Sequence, residues 1–447
     1  MSTGTDAPFG FNIIGMSSAD LGLGLTARQF ARVLLARGYP VCILDIDAGH
    51  GRSGKNNEFA HITVGAGENL PYAVNLFVEG AHILPEFILR PPRSMTVPGR
   101  LNVGFLWWEL TVLPEYLRLG AEFFDVLMVG SEFVQSTMGN HIPRTPVLLA
   151  EHPLSLPAEV LPNRARFGLP QDAFVVGMSF DPLSDPARKN PFASLEAFRL
   201  AFTGQSNCHL VVKMSNPRGV SPKMLELINR MKSHIEQDER MHLIEETLPY
   251  DDLLSLYASY DVFISLHRSE GLGLGPLEAM LLGKPVVATA WSGNLSYMSH
   301  ENACLVAHDL VPVNDDSDFF GPEAMGIQGF WADPLPEHAA AWLRKLQGDP
   351  EFRKSISLNA LRDARAYQAR AEQAGFVSEL EAIWNALDTY PTRDRPGLKV
   401  RVAEATRQNR LRKMSWGRRQ VMRLYHPAEV LLDRHVFWRF RSRRAAP

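Results

Sequence analysis

Cysteine is scarce, with three residues in a chain of 447. Cys42, Cys208 and Cys304 are odd in number and far apart, so they offer neither a disulfide framework nor the paired spacing of a zinc site. They read as small core residues of a reducing compartment. No apolar run approaches the roughly 18 residues that cross a bilayer. The first six residues, Met1-Ser2-Thr3-Gly4-Thr5-Asp6, carry neither the basic residues nor the apolar segment of a secretory leader. No two histidines have the helical spacing of a metal site. Short repeats and low-complexity runs are also lacking before residue 393. These absences argue against a secreted disulfide scaffold, a membrane-spanning protein and a zinc protein, and the expectation is a cytoplasmic globular protein.

The composition is otherwise ordinary, 45% hydrophobic and 21% charged, and the length implies two or three domains. The net charge of −3 conceals an asymmetry. Residues 393–447 hold 16 Lys/Arg against 4 Asp/Glu, which leaves them at +12 and the preceding 392 residues at −15. A basic segment on an acidic body points toward an anionic partner surface.

Apolar patterning predicts alternating strands and helices. Strands are expected at 11–16, 41–44, 73–78, 101–106 and 126–129, with a helix over 25–37 stopped by Gly38 and Pro40. The stretch 142–170 holds Pro143, Pro146, Pro153, Pro157, Pro162 and Pro170 and reads as a linker. A second alternating set follows, with strands at 174–178, 209–213, 241–244 and 261–266 and helices at 191–202, 221–236 and 250–259. Helices near 336–347 and 350–386 close it. This is the pattern of βαβ units, hence an α/β protein with two Rossmann-like parallel-sheet domains facing across a cleft. The expected division is 1–165, 166–390 and a basic, aromatic-rich segment 391–447.

The stretch most suggestive of chemistry is Ser269-Glu270-Gly271-Leu272-Gly273-Leu274-Gly275-Pro276-Leu277-Glu278. A strand ending in a glycine-rich turn that opens a helix presents free N–H groups and a positive dipole end, which suits a phosphate or diphosphate. Glu270 and Glu278 bracket this turn and add acceptors for sugar or ribose hydroxyls. With Pro276 at the first helical position, Glu278 falls at the third, where a carboxylate is also favourable for capping alone. Arg188-Lys189-Asn190-Pro191 puts two cations at an expected helix start, against the dipole preference, as if a bound diphosphate supplied the missing negative charge. Lys189 is the first choice as a point charge on phosphate oxygens.

In the first half, Gly22-Leu23-Gly24 with Ala27 forms a loose G-x-G-x-x-A. It reads as a flexible loop reaching a phosphate from the opposite domain, as a plain turn, or as a dinucleotide fingerprint with Asp45 on a ribose. The last would make the chain an NAD-dependent oxidoreductase, but Ser17-Ser18-Ala19-Asp20 separates strand from glycines where that fingerprint wants an immediate turn. Asp45 and Asp47 alternate at a strand end, where a solvated position is expected rather than a metal site. Glu109 ends an apolar strand, where cleft residues of open α/β sheets lie, and either meets sugar or acceptor or stands as a rim carboxylate. Trp107 and Trp108 read as core ahead of sugar-stacking surfaces.

Residues 250–300 resemble glycosyltransferase family 4, whose E-x7-E motif is matched by Glu270 and Glu278. Gly22-Leu23-Gly24 is similar to a G-L-G loop of one bacterial, polysaccharide-assembling branch. Leu101 to Leu110 with Pro114, Gly130-Ser131-Glu132-Phe133-Val134 and Arg188-Lys189-Asn190-Pro191 extend the resemblance over about 380 residues. It implies a GT-B fold and a retaining, metal-independent hexosyl- or other glycosyltransferase with no cofactor. The donor is a nucleotide sugar, a UDP- or GDP-sugar, and the acceptor a saccharide or lipid-linked glycan. It implies Glu270, Lys189 and Glu109 as catalytic residues. Gly22, Gly24, Arg188, Lys189, Glu270, Gly271, Leu272, Gly273, Leu274 and Glu278 would bind the donor, and no residue would hold a metal. Residues 178–184, Met-Ser-Phe-Asp-Pro-Leu-Ser, lack an arginine found in many relatives, and Arg188 is its candidate replacement. A catalytically inactive nucleotide-sugar-binding protein would keep the same residues. Beyond the resemblance, 393–447 interleaves Arg418, Arg419, Arg423, Arg439, Arg441, Arg443 and Arg444 with Trp416, Phe437, Trp438 and Phe440. That pattern suits the inner, anionic face of a plasma membrane, a partner protein, the chain's own body or a disordered solvated tail, and no nucleic-acid motif accompanies it.

Overall fold

The computed structural model describes residues 7–19, 22–46, 56–65, 70–80, 100–217, 219–314, 316–386, 403, 404 and 407. Asp47 and nearly all of 393–447 lie outside them. The first half contributes β1 (Phe11–Gly15), β2 (Val41–Asp45), β3 (Thr63–Val64), β4 (Val74–Gly80), β5 (Leu101–Trp107), β6 (Val126–Val129) and β7 (Val147–Leu149). They form one sheet in the order β3-β2-β1-β4-β5-β6-β7, every pairing parallel. Three buried asparagines pin its centre. Asn12 bonds Asn75 and Asn75 bonds Asn102, each at 2.9 Å, across β1, β4 and β5. A one-residue slip would strand these amides in the core, so the ladder fixes register as well as contributing hydrogen bonds.

The second half contributes β8 (Phe174–Phe180), β9 (Cys208–Met214), β10 (Met241–Glu245), β11 (Val262–Ser265), β12 (Val286–Thr289) and β13 (Cys304–Val306). Their order is β10-β9-β8-β11-β12-β13, again all parallel. Both sheets are near-continuous runs of Val, Ile, Leu and Phe, as strands covered by helices on both faces must be. The two parallel-sheet α/β domains expected from the sequence are therefore present. Chain order turns back at β8, and a crevice outside the strand ends opens at such a switch point.

Two local expectations are corrected. The single helix expected over 350–386 is two helices, Pro350–Glu372 and Phe376–Asn385, because Ala374 takes a left-handed conformation (φ 50°) that no α-helix continues through. The second of these packs Phe376, Val377 and Leu380 against Phe30 and Leu34 of the first domain. The first helix of the chain starts at Gly22 rather than Leu25, so the two glycines lie in its first turn rather than in a loop.

A hairpin the sequence did not signal, β14 (His308–Pro312) and β15 (Phe330–Pro334), frames residues 313–329. Val313, Phe320, Met325 and Trp331 from this segment enter the core of the first domain beside Trp108, Leu110 and Leu113. Phe320 meets Trp108 edge to face at 5.6 Å. The second domain thus straps itself across the first. Among the described residues no helix is long and apolar enough to cross a membrane.

Candidate functional site

The strap, β5 and the ends of β8, β11 and β12 converge on one cluster. Arg188 and Lys189 lie in the last turn of a four-residue helix, Pro186–Lys189, not at the start of the following one. Their positions therefore agree with the dipole, which favours cations at a helix C-terminus. No anion is needed to compensate an unfavourable placement, contrary to the expectation from the sequence. Asn190, with φ 49°, turns the chain, and Pro191 opens the next helix.

Both cations close on Glu270. Lys189 Nζ lies 2.5 Å from Glu270 Oε1 and Arg188 Nη1 3.1 Å from Oε2. Burial alone would raise the Glu270 carboxyl, but the Lys189 ammonium and then the Arg188 guanidinium outweigh it and hold the group well below the usual carboxylate range. The two cations differ in how committed they are. Arg188 is 3% exposed and donates to Ser269 O at 2.6 Å and Ser184 O at 2.9 Å. Its guanidinium also lies over the Phe320 ring at 5.9 Å. The Lys189 side chain has no such backbone ties among the described residues and is the less anchored cation of the two.

The glycine turn is built by β11, by the loop after β12 and by the first domain. Gly273 has φ 90° and caps the Leu274–Leu281 helix, a conformation that a side chain would strain. The helix thus begins two residues earlier than Pro276 suggested, and Glu278 lies beyond its first turn, which removes the expected capping role. Tyr297 Oη donates to Gly273 O at 2.5 Å, Glu270 N to Ser292 Oγ at 2.8 Å, and Gly293 N to Glu270 O at 2.9 Å. Ser292 holds φ 78° and ψ −150°, backbone strain of order 1–3 kcal/mol that persists because its hydroxyl is needed at Glu270. His267, fully buried behind the turn, is driven toward the neutral form by burial and lies 3.2 Å from Asn294 Oδ1.

The first domain meets this turn directly. Ser131 caps the Glu132–His141 helix and donates its hydroxyl to Gly271 O at 2.6 Å, and Ser269 Oγ donates to Glu109 O. Glu109 follows β5 by two residues, its Oε1 3.8 Å from Arg188 Nη2, and burial raises its carboxyl despite that cation. Trp108 is core, its indole N–H donating to Val112 O at 2.9 Å. Trp107 is half-buried between Phe105 and His152, with ring centroids at 5.2 and 5.5 Å. Leu274 is the neighbour nearest to Gly22, 3.9 Å from where a Cβ would stand. A Cβ on Gly24 would instead lie 2.2 Å from Ala19 O, so that glycine serves the turn itself. Asp45 is not a solvated strand end. Its Oδ2 accepts from Ser18 N at 2.8 Å and Ser17 Oγ at 3.1 Å, anchoring the loop ahead of the glycines.

Glu278 lies on the helix that the glycine turn opens. It is 4% exposed, and Tyr250 Oη donates to its Oε1 at 2.9 Å. Burial raises its carboxyl to about 7, against smaller opposing pulls from the Tyr250 hydroxyl and the Lys213 ammonium. The folded protein therefore holds a proton that the unfolded chain, near 4.5, has already released. The resulting stabilisation is complete below about pH 4.5 and is lost as pH rises through 7, with a ceiling of about 3 kcal/mol. Glu278→Gln should remove it. Urea unfolding of wild type and variant at pH 5 and pH 8 should show the wild type losing about 2–3 kcal/mol relative to the variant, and parallel curves would refute the assignment.

The structure thus brings Gly22, Arg188, Lys189, Glu270, Gly271, Leu272, Gly273, Leu274, Glu278 and Glu109 into one contact zone, with Gly24 one turn behind. Sequence reading missed Ser131, Tyr250, Lys213, Ser292 and the strap. Ser131 lies in the segment Gly130–Val134, but its partner Gly271 is 140 positions away and no local pattern joins them.

With this geometry established, likenesses to known proteins fall into place. The profile of the family described as Glycosyl transferases group 1 matches residues 186–319, from the helix of Arg188 and Lys189 past both glutamates. A sulfoquinovosyl transferase of Arabidopsis thaliana is 33% identical over 141 residues. That match takes in 31% of this chain and only 23% of the plant protein. The Anabaena protein HepE, solved with UDP and glucose, superposes with a TM-score of 0.55 at 15% identity, covering 85% of this chain and all of HepE. Sucrose-phosphate synthase from Thermosynechococcus elongatus gives 0.57 at 15% identity, covering 84% and 99% of the two chains. The pneumococcal O-GlcNAc transferase GtfA, with UDP and GlcNAc, gives 0.55 at 9% identity over 86% and 99%. The fold is GT-B.

Proposed function

We propose that this GT-B protein is a retaining glycosyltransferase of the family 4 type, moving a sugar from a nucleoside-diphosphate donor to a saccharide or lipid-linked acceptor, as in surface-polysaccharide assembly. The observation that carries this reading is the convergence of Glu270, Lys189, Glu278 and the N-terminus of the Leu274–Leu281 helix on the seam where Glu109 and Ser131 of the first domain meet the second. The UDP held by HepE and by GtfA makes a UDP-sugar the first donor to try.

In this mechanism Glu278, with one oxygen held by Tyr250, accepts ribose hydroxyls through the other. Glu270 accepts hydroxyls of the donor sugar. Lys189 and the amides at Gly273 and Leu274 face the diphosphate, with no resident metal ion needed to offset its charge. The acceptor hydroxyl oxygen bonds to the anomeric carbon on the face the diphosphate leaves. The carbon–oxygen bond to phosphate breaks with its electron pair going to the diphosphate, and the acceptor proton passes to the departing phosphate oxygen. Stabilising the charge that grows on that oxygen is the main catalytic contribution, and orientation across the seam the second. Glu109 approaches from the acceptor side.

A thermal-shift screen over UDP-, GDP-, ADP- and dTDP-sugars and NAD tests this. Stabilisation by one nucleotide sugar, with sugar transfer or slow donor hydrolysis that survives EDTA, is expected. Stabilisation without turnover would reduce the protein to a binding role, and a response to NAD alone would overturn the reading. If the basic segment 393–447 holds the enzyme at lipid-linked acceptors on the inner membrane face, the full chain should float with anionic vesicles and not with neutral ones.

A further inference from the structure

Glu270 has a second task, and its two ion pairs reveal it. The two cations expected to face a diphosphate are already paired, one with each oxygen of a single carboxylate. Glu270 is 7% exposed, and Ser292 Oγ and Gly293 N fix its backbone. A carboxylate gripped by an ammonium and a guanidinium presents two anionic oxygens to them, the same chemistry as a phosphate. Buried charges of this kind persist only when paired, so a ligand that takes Lys189 leaves Glu270 with Arg188 alone and in want of a second partner. A sugar-loaded donor brings one, because its hydroxyls donate hydrogen bonds to the displaced carboxylate. A bare diphosphate brings none and adds negative charge beside it.

We propose that Glu270 is an internal counter-ion that selects sugar-loaded donor over spent nucleoside diphosphate, an inference that rests on the donor site proposed above. Once the sugar has left, the carboxylate, still paired with Arg188, returns to Lys189 and expels the product. Glu270 is thereby a specificity-determining residue for the bound state as well as a sugar contact. Arg188 stays in place throughout, tied to Ser269 O and Ser184 O, so the exchange takes place at Lys189.

Inorganic pyrophosphate, which has neither base nor sugar, is the probe. By titration calorimetry Glu270→Gln should bind it at least 10-fold more tightly than the wild type, and Lys189→Ala added to Glu270→Gln should abolish the gain. Equal or weaker binding by Glu270→Gln, or a gain that persists without Lys189, overturns the proposal. A second measurement needs no variant. The wild type should bind its donor more tightly than the corresponding free nucleoside diphosphate, and the opposite order also overturns it. A screen in which no nucleotide sugar binds would refute the donor site, whereas the pyrophosphate comparison would still report on Glu270.

Discussion

Lys189→Ala is expected to lower kcat by about 10²- to 10³-fold while weakening donor binding far less. The asymmetry follows from where its charge acts. Lys189 Nζ is paired with Glu270 Oε1 at 2.5 Å. Bringing a donor diphosphate to it means giving up that ion pair, so the ground state gains little. The departing diphosphate carries more negative charge than the bound donor does, and that increment is felt in a seam largely shut off from water, where a nearby cation counts most. Turnover and affinity measured separately, by initial rates and by calorimetry, check this. A loss confined to KM, or none at all, would place the leaving group elsewhere.

Gly293→Ala is expected to cost more than any single contact. A Cβ there would stand 2.1 Å from Gly271 O and 2.7 Å from Leu272 N. Both are main-chain atoms, with no rotamer change to relieve the clash. The loop after β12 must move back, breaking the Gly293 N to Glu270 O and Glu270 N to Ser292 Oγ bonds together. Overpacking of this kind costs about 1–3 kcal/mol of stability, and donor affinity should fall more than ~100-fold as Glu270 loses its backbone anchor. Thermal melting and donor titration measure the two effects. A variant with native melting and native affinity would show that the contact is not needed.

The α/β alternation and the spacing of both glutamates were legible because periodicity and spacing are local properties, whereas the stretch 142–170 read as a linker holds β7 of the first sheet. What was misread lay below the reach of a period. The helix holding Arg188 and Lys189 has four residues, too few for any apolar repeat, so the cations were assigned to the next helix. Proline seemed to mark the start of the Leu274–Leu281 helix, yet the first four N–H groups of any helix lack intrahelical partners, and Pro276 fits at its third position as well as at its first. The break at Ala374 depends on a left-handed residue that alanine does not advertise. The contacts that assemble the site, Ser131 to Gly271 and Ser269 to Glu109, join residues 140 and 160 positions apart. They exist only once both sheets have formed.

The strap bears on how this protein can be re-engineered. Val313, Phe320, Met325 and Trp331 complete the core around Trp108, Leu110 and Leu113, so a cut in the proline-rich linker does not yield two self-sufficient pieces. A chimera that borrows the first half of one homologue and the second half of another would bring together apolar surfaces fitted to different partners. Residues 313–331 belong, in folding terms, with the half they are not encoded beside. Recombination should carry that segment together with its Trp108–Leu113 counterpart.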